Sequence, residues 1–193
     1  MSSNKEHEEV LADVRKAYRL LYQFQRKVLD LMTYISDYYS LIYKGGTSWY
    51  SSSSPKDGKG NLSDWAWDWL NFYLYEFHFG ELHNGKHKFS IVLQSDSGAW
   101  INDAEERDVQ KFANADISKT RLFFITGSKD EWNIKDMIDT FADAKEEVQS
   151  EKDINNMLGK SYNLVDFFDE DSVKANLDDF ATFCKRHEIN MFP

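Results

Sequence analysis

Leu11, Val14, Tyr18, Leu21, Val28, Met32, Ile35, Tyr39 and Ile42 recur at alternating steps of three and four through a stretch, residues 5 to 43, that holds no Gly or Pro. Gln25 alone interrupts the series. That spacing keeps all of them on one face of an α-helix. After residue 20 the flanking positions are Tyr22, Phe24, Leu29, Leu31 and Tyr38, not the Glu/Lys pairs of a two-stranded zipper. The stripe is therefore wide and predicts that the second half of the helix is buried against more than one neighbour. Arg15, Lys16, Arg19, Arg26 and Lys27 keep the other face wet. Unbroken, about 39 residues at about 1.5 Å each span about 58 Å, against a diameter of roughly 40 Å for a compact globule of this chain length. The helix either bends or projects its N-terminal turns onto another chain, which makes a homo-oligomer through this helix one outcome. Gly45-Gly46 predicts its end.

Residues 44–63 contain four consecutive serines, Pro55, Gly58 and Gly60 and predict a long flexible loop. Lys44, Lys56 and Lys59 against Asp57 make it locally basic, and Trp49 and Tyr50 add rings. Trp49, Tyr50, Lys56 and Lys59 are its contact candidates, since lysine with aromatics suits phosphate or single-stranded nucleic acid. Rings in a loop equally serve to pin it to the core.

From Asp64 a helical turn or two, with Trp65, Trp69 and Phe72, leads into alternating Tyr73, Tyr75, Phe77 and Phe79. Asn84-Gly85 and the alternating Phe89, Ile91 and Leu93 complete a predicted hairpin. Pairing His83 with Lys86 sets Phe77 opposite Val92, with Glu76 and His78 opposite Leu93 and Ile91. Ala99 to Asn102 reads as a short strand, Asp103 to Ala113 as a helix, and Arg121 to Thr126 as a strand buried on both faces. Everything after Gly127 reads helical: residues 130–150, pieces near Ile154 to Leu158 and Tyr162 to Phe168, and residues 171–188. The expectation is a single α+β domain with a long N-terminal helix, a small mainly antiparallel sheet with an Asn-Gly hairpin, and a helical C-terminal region. Its parts are the helix 1–43, the basic loop 44–63, a sheet-containing core 64–127 and an acidic helical region 128–193.

Charge changes this picture most. Residues 1–90 carry 11 basic and 11 acidic side chains, net 0, and residues 91–193 carry 12 and 22, net −10. Such a field repels phosphate backbones, disfavours direct nucleic-acid binding by that half, and attracts a basic protein surface. With 41% hydrophobic and 16% aromatic residues among 193, the chain has the material for a core, which excludes general disorder. One cysteine, Cys184, excludes an intramolecular disulfide. Without a leading basic-then-apolar segment or a run of 18 apolar residues, a cytoplasmic protein with no membrane contact is expected.

Chemical motifs mostly fail on spacing. Gly159-Lys160-Ser161 would close a phosphate loop only with a glycine where Ile154 stands, and Gly58-Lys59 lacks both flanking requirements. Asp103-Ala104-Glu105-Glu106 and Ser128-Lys129-Asp130-Glu131 are spaced as capping boxes. His78, His83 and His87 are spread along the hairpin with no second ligand pair, so no metal or other cofactor is expected. Cys184 and His187 lie three apart, with Cys184 on the apolar stripe of its helix as a core thiol. The element order is similar to that of restriction-endonuclease-like metal nucleases, and the resemblance nominates Glu76, His78 and Asp96 as candidate catalytic groups around Mg²⁺. It lacks the Glu-x-Lys that such a site needs after Asp96.

Three functions follow as expectations. The first is a non-enzymatic interaction protein, an accessory or regulatory subunit that meets a basic protein partner through its acidic C-terminal half. The second is a nucleic-acid mimic that inhibits a nucleic-acid-binding enzyme, with Asp166, Asp169, Glu170, Asp171, Asp178 and Asp179 standing in for phosphates. The third is the metal-dependent nuclease or a degenerate relative of one.

Overall fold

The computed structural model describes residues 2–49, 74–100, 112–142 and 150–193. The chain is an α+β arrangement, with helices α1 (Ser2–Tyr38), α2 (Ile134–Ala142) and α3 (Glu170–Arg186) around strands β1 (Gly46–Ser48), β2 (Leu74–Glu81), β3 (His87–Gln94), β4 (Arg121–Ser128), β5 (Glu151–Ile154) and β6 (Met157–Asn163). The six strands form one sheet in the order β1-β2-β3-β4-β6-β5, antiparallel throughout.

β4 lies inside the sheet and feeds both of its faces. Leu122 and Phe124 point to one side, where Val28, Met32, Ile35 and Tyr39 of α1 and Val173, Leu177, Phe180 and Cys184 of α3 cover them. Phe123 and Ile125 point to the other, beneath Ile134, Met137, Ile138 and Phe141 of α2. On all three helices the buried residues repeat at three and four, the period that aligns them on one face. The strand buried on both faces is as expected, and so are the long first helix and the last one.

α1 ends at Tyr38, earlier than the glycine pair suggested. The Leu41 amide donates to the Ser36 carbonyl at 2.8 Å and the Ser40 amide to that of Asp37 at 3.1 Å, while Ser40 takes φ 53°. This is a Schellman closure, with buried Leu41 as the apolar residue behind it. α3 closes the same way, with Glu188 at φ 63° and the Ile189 amide reaching the Cys184 carbonyl. A serine in the left-handed region carries a steric cost that glycine does not. Ser40→Gly is expected to stabilise the protein by about 0.5 kcal/mol, net of glycine's greater unfolded-state freedom, read as a raised urea midpoint at unchanged slope.

The predicted hairpin register is corrected by one residue. Phe77 pairs with Ile91, Glu76 with Val92 and His78 with Ser90, because a bulge between His78 and Glu81 sets Phe79 and Gly80 against Phe89 alone. Gly80 has φ +70°, the conformation such a bulge asks of a glycine. The turn is a four-residue loop, with the Leu82 amide donating to the His87 carbonyl and the Asn84 side chain accepting from the amides of Lys86 and His87.

The region after Gly127 is not helical throughout. Residues 151–163, expected as helical pieces, form the β5–β6 hairpin, turned by Asn155 and Asn156 at φ 51° and 61°. Only the 3₁₀ turn Leu164–Phe167 follows before α3. Ser97–Trp100 is likewise a 3₁₀ turn where a strand was expected from Ala99. The predicted turns at 64–72, the helix over 103–111 and the end of the 130–150 helix at 143–149 lie outside the described residues.

Candidate interaction surface

α1 and α3 lie on the same face of the sheet, and the 3₁₀ turn before α3 brings Leu164 and Phe167 beside the middle of α1. Between them runs an apolar groove of about 470 Å³ whose lining includes Phe24, Leu31 and Tyr34 from α1 and Leu164, Phe167, Phe168 and Val173 from the facing segment. Phe168 is 65% exposed, and the Lys27 ammonium lies 5.5 Å from its ring centroid. Asp30, Asp169 and Glu170 complete the rim. The groove was not read from the sequence, although Phe24 and Leu31 of the broad stripe and the pair Phe167-Phe168 ahead of three acids were its traces.

The six acidic candidates are held in different ways. Asp169 caps α3, accepting from the Ser172 amide at 2.9 Å, and that bond holds its carboxyl below the usual range. Glu170 is likewise lowered by its hydrogen bond from Lys174 at 2.8 Å. Asp171 is exposed in the first turn of α3, and Asp166 is half-buried with its backbone carbonyl accepting from Asn176. Asp178 accepts the Tyr38 hydroxyl at 2.7 Å; burial first, and then this carboxylate, push Tyr38 up to about 12. Asp179 accepts from the Tyr162 hydroxyl and from Lys160, each at 2.8 Å. Asp178 and Asp179 thus tie α3 to α1 and β6, whereas Asp169 and Glu170 border the groove.

Glu76 and His78 do meet. Glu76 is buried, takes a hydrogen bond from Trp49 Nε1 at 3.1 Å, and stands 3.3 Å from His78 Nε2. The same Nε2 lies 3.2 Å from the Thr47 hydroxyl. A nucleophile–base–acid relay needs both ring nitrogens, so this contact set secures β1 to β2. Asp96 is not brought to it: Glu76 sits opposite Val92, and Asp96 lies four residues further on, about 13 Å along an extended chain. There it accepts from the Gly98 amide at 2.7 Å. Among the described residues no group of three or more His, Cys, Asp or Glu is placed to hold a metal ion. Trp49, a loop candidate, packs on the α2-side cluster, as a pinning residue does; Tyr50, Lys56 and Lys59 lie outside the described residues. Cys184 is fully buried and its thiol is pushed up by that burial. No helix among the described residues is long and apolar enough to cross a membrane.

Taken together, these features define an α+β protein with an apolar groove bordered by Asp30, Asp169, Glu170 and Lys27. The chain belongs to the PM0109 family, whose family model matches residues 4–189. That name carries no activity with it, and no curated protein and no solved structure matches the chain.

Proposed function

We propose that this protein is a non-enzymatic accessory or regulatory subunit that receives a basic segment of a partner protein in the groove between α1 and residues 164–173. The observation that carries the reading is the groove itself: an apolar floor with Asp30, Asp169 and Glu170 at its rim. An apolar anchor would bury against Phe24, Leu31 and Phe168 while flanking lysines or arginines meet the carboxylates, a division of labour common at interfaces. The net charge of −10 over residues 91–193 supports a basic partner through long-range steering. The nucleic-acid mimic draws on the same carboxylates, but four of its six, Asp169, Glu170, Asp178 and Asp179, already hold bonds within the chain, and it makes no use of the apolar floor, which leaves it the weaker reading.

The test is capture from the host lysate with full-length protein and with Phe168→Ala, at low and high salt, followed by titration of the purified partner. Truncating an exposed rim aromatic leaves the fold intact and is expected to weaken binding by about 1.5–3 kcal/mol, or roughly 10- to 100-fold. Asp169→Asn with Glu170→Gln is expected to reduce the salt dependence of the same affinity. A partner that binds the wild type and Phe168→Ala equally at every salt concentration overturns the groove as the docking site.

A further inference from the structure

The first half of α1 presents an apolar seam that no other described part of the chain covers. The repeat that is buried at Val28, Met32, Ile35 and Tyr39 continues backwards without a change of phase through Leu21, Tyr18, Val14 and Leu11. These four are all exposed, Tyr18 by 72%. Uncovered apolar residues at strict heptad spacing are the pattern of a helix that pairs with another helix. The charges along the same turns say which helix. Residues 6–13 carry Glu6, Glu8, Glu9 and Asp13 and no Lys or Arg, whereas residues 15–27 carry five basic and no acidic side chains. Two copies laid side by side in the same direction would set like charge on like. Laid in opposite directions, each acidic end meets the basic stretch of the other.

We infer that the projecting half of α1 pairs with the same segment of a second copy as an antiparallel two-helix coiled coil centred near Lys16. With that centre, Leu11 of one copy layers on Leu21 of the other and Val14 on Tyr18. At that level the acidic turns 6–13 of one copy run alongside residues 19–26 of the other, which hold Arg19 and Arg26 and no acid. Gln25, the one polar interruption of the seam, falls opposite His7, the kind of polar layer that fixes register. The two bodies, which begin at Val28, then sit at opposite ends of the paired segment. The seam centres on residues 11–21 and the groove on residues 24–34 with 164–173, so Leu21 tests the first and Phe168 the second.

The experiment is light scattering on the full-length chain over a range of concentrations, with disulfide trapping of cysteine variants. The wild type is expected to dimerise, and Leu21→Glu to be monomeric while its body still unfolds cooperatively, because Leu21 is exposed; its melting then no longer depends on protein concentration as the wild type's does. Mixed Val14→Cys and Tyr18→Cys chains are expected to cross-link to each other, while Val14→Cys alone does not link to itself: opposed layers fall within disulfide reach and like positions do not. The native thiol Cys184 is buried and does not compete. A monomer at all concentrations, an assembly larger than two, a dimer that survives Leu21→Glu, or Val14→Cys linking to itself would each overturn the proposal. Loss of Phe168-dependent binding bears on the groove alone.

Discussion

Phe124→Ala is expected to destabilise the protein by about 4 kcal/mol, the upper part of the range for emptying a well-packed core of a ring. Phe124 is fully buried in the middle of β4, and its ring centroid lies 5.2 Å from that of Tyr162, 5.3 Å from Phe180, 5.7 Å from Phe167 and 5.9 Å from Phe89. These four rings come from β6, α3, the 3₁₀ turn and β3, so the void would open where four elements converge and no single one can collapse into it. Edge-on contacts with Tyr162, Phe180 and Phe89 add the attraction of ring edge for ring face. For a chain of this size the melting temperature should fall by about 10 °C, with the urea midpoint lowered at unchanged slope. Phe124→Leu keeps most of the volume and should cost about 1.5 kcal/mol or less. A loss below about 1 kcal/mol for the alanine variant would mean that this is not the centre of the core.

The same convergence explains what could be read in the sequence. α1 was legible because its seam runs for many turns at one period, and β4 because four consecutive apolar residues, Leu122 to Ile125, can be buried only in a strand covered on both faces. α3 was legible for the reason α1 was. The helix ends were not, because Ser40 and Glu188 occupy left-handed positions where the usual signal is glycine. The β5–β6 hairpin was missed because its turn is Asn155-Asn156 and β5 is the polar stretch Glu151-Lys152-Asp153-Ile154, an edge strand with half its residues exposed. Asparagine is the next most tolerant residue at positive φ, so a signal was present but weaker than Asn84-Gly85. The register slipped because a bulge at Gly80 depends on the packing of Phe79 and Phe89, which no local rule supplies. The groove is beyond local reading altogether: it joins residues 24–34 to residues 164–173, which come together only in the folded chain, packed on one face of the sheet.

Lys160→Ala is expected to be the second most damaging change, at about 2 kcal/mol. The sequence offered Lys160 as the lysine of a phosphate loop lacking its first glycine; in the fold it is an internal tie. Its side chain is 8% exposed on the sheet face beneath α3, donates to Glu151 at 3.0 Å and to Asp179 at 2.8 Å, and passes 5.9 Å from the Tyr162 ring centroid. Arg186 reaches the same Glu151 oxygen at 2.7 Å, and Tyr162 donates to the same Asp179 oxygen. One cation therefore joins β6, β5 and α3. Breaking a wholly buried pair costs about 3–5 kcal/mol, but Glu151 and Asp179 keep 36% and 47% of their side-chain surface and would recover water, which lowers the figure. Lys160→Met retains the stem against Tyr162 and should cost about half as much. The pH profile separates this role from mere packing. Partial burial works against the charge on Glu151, but its bonds from Lys160 and Arg186 outweigh that and hold its carboxyl below the usual range. A depressed carboxylate contributes stability above its unfolded-state value, and that stability is lost as pH falls through the folded one. Wild-type melting should therefore drop as pH falls below about 4, and Lys160→Ala, with one of the two supports of Glu151 gone, should show a shallower drop starting from its lower neutral value. Parallel profiles for the two proteins would mean that Lys160 acts through packing and not through its charge.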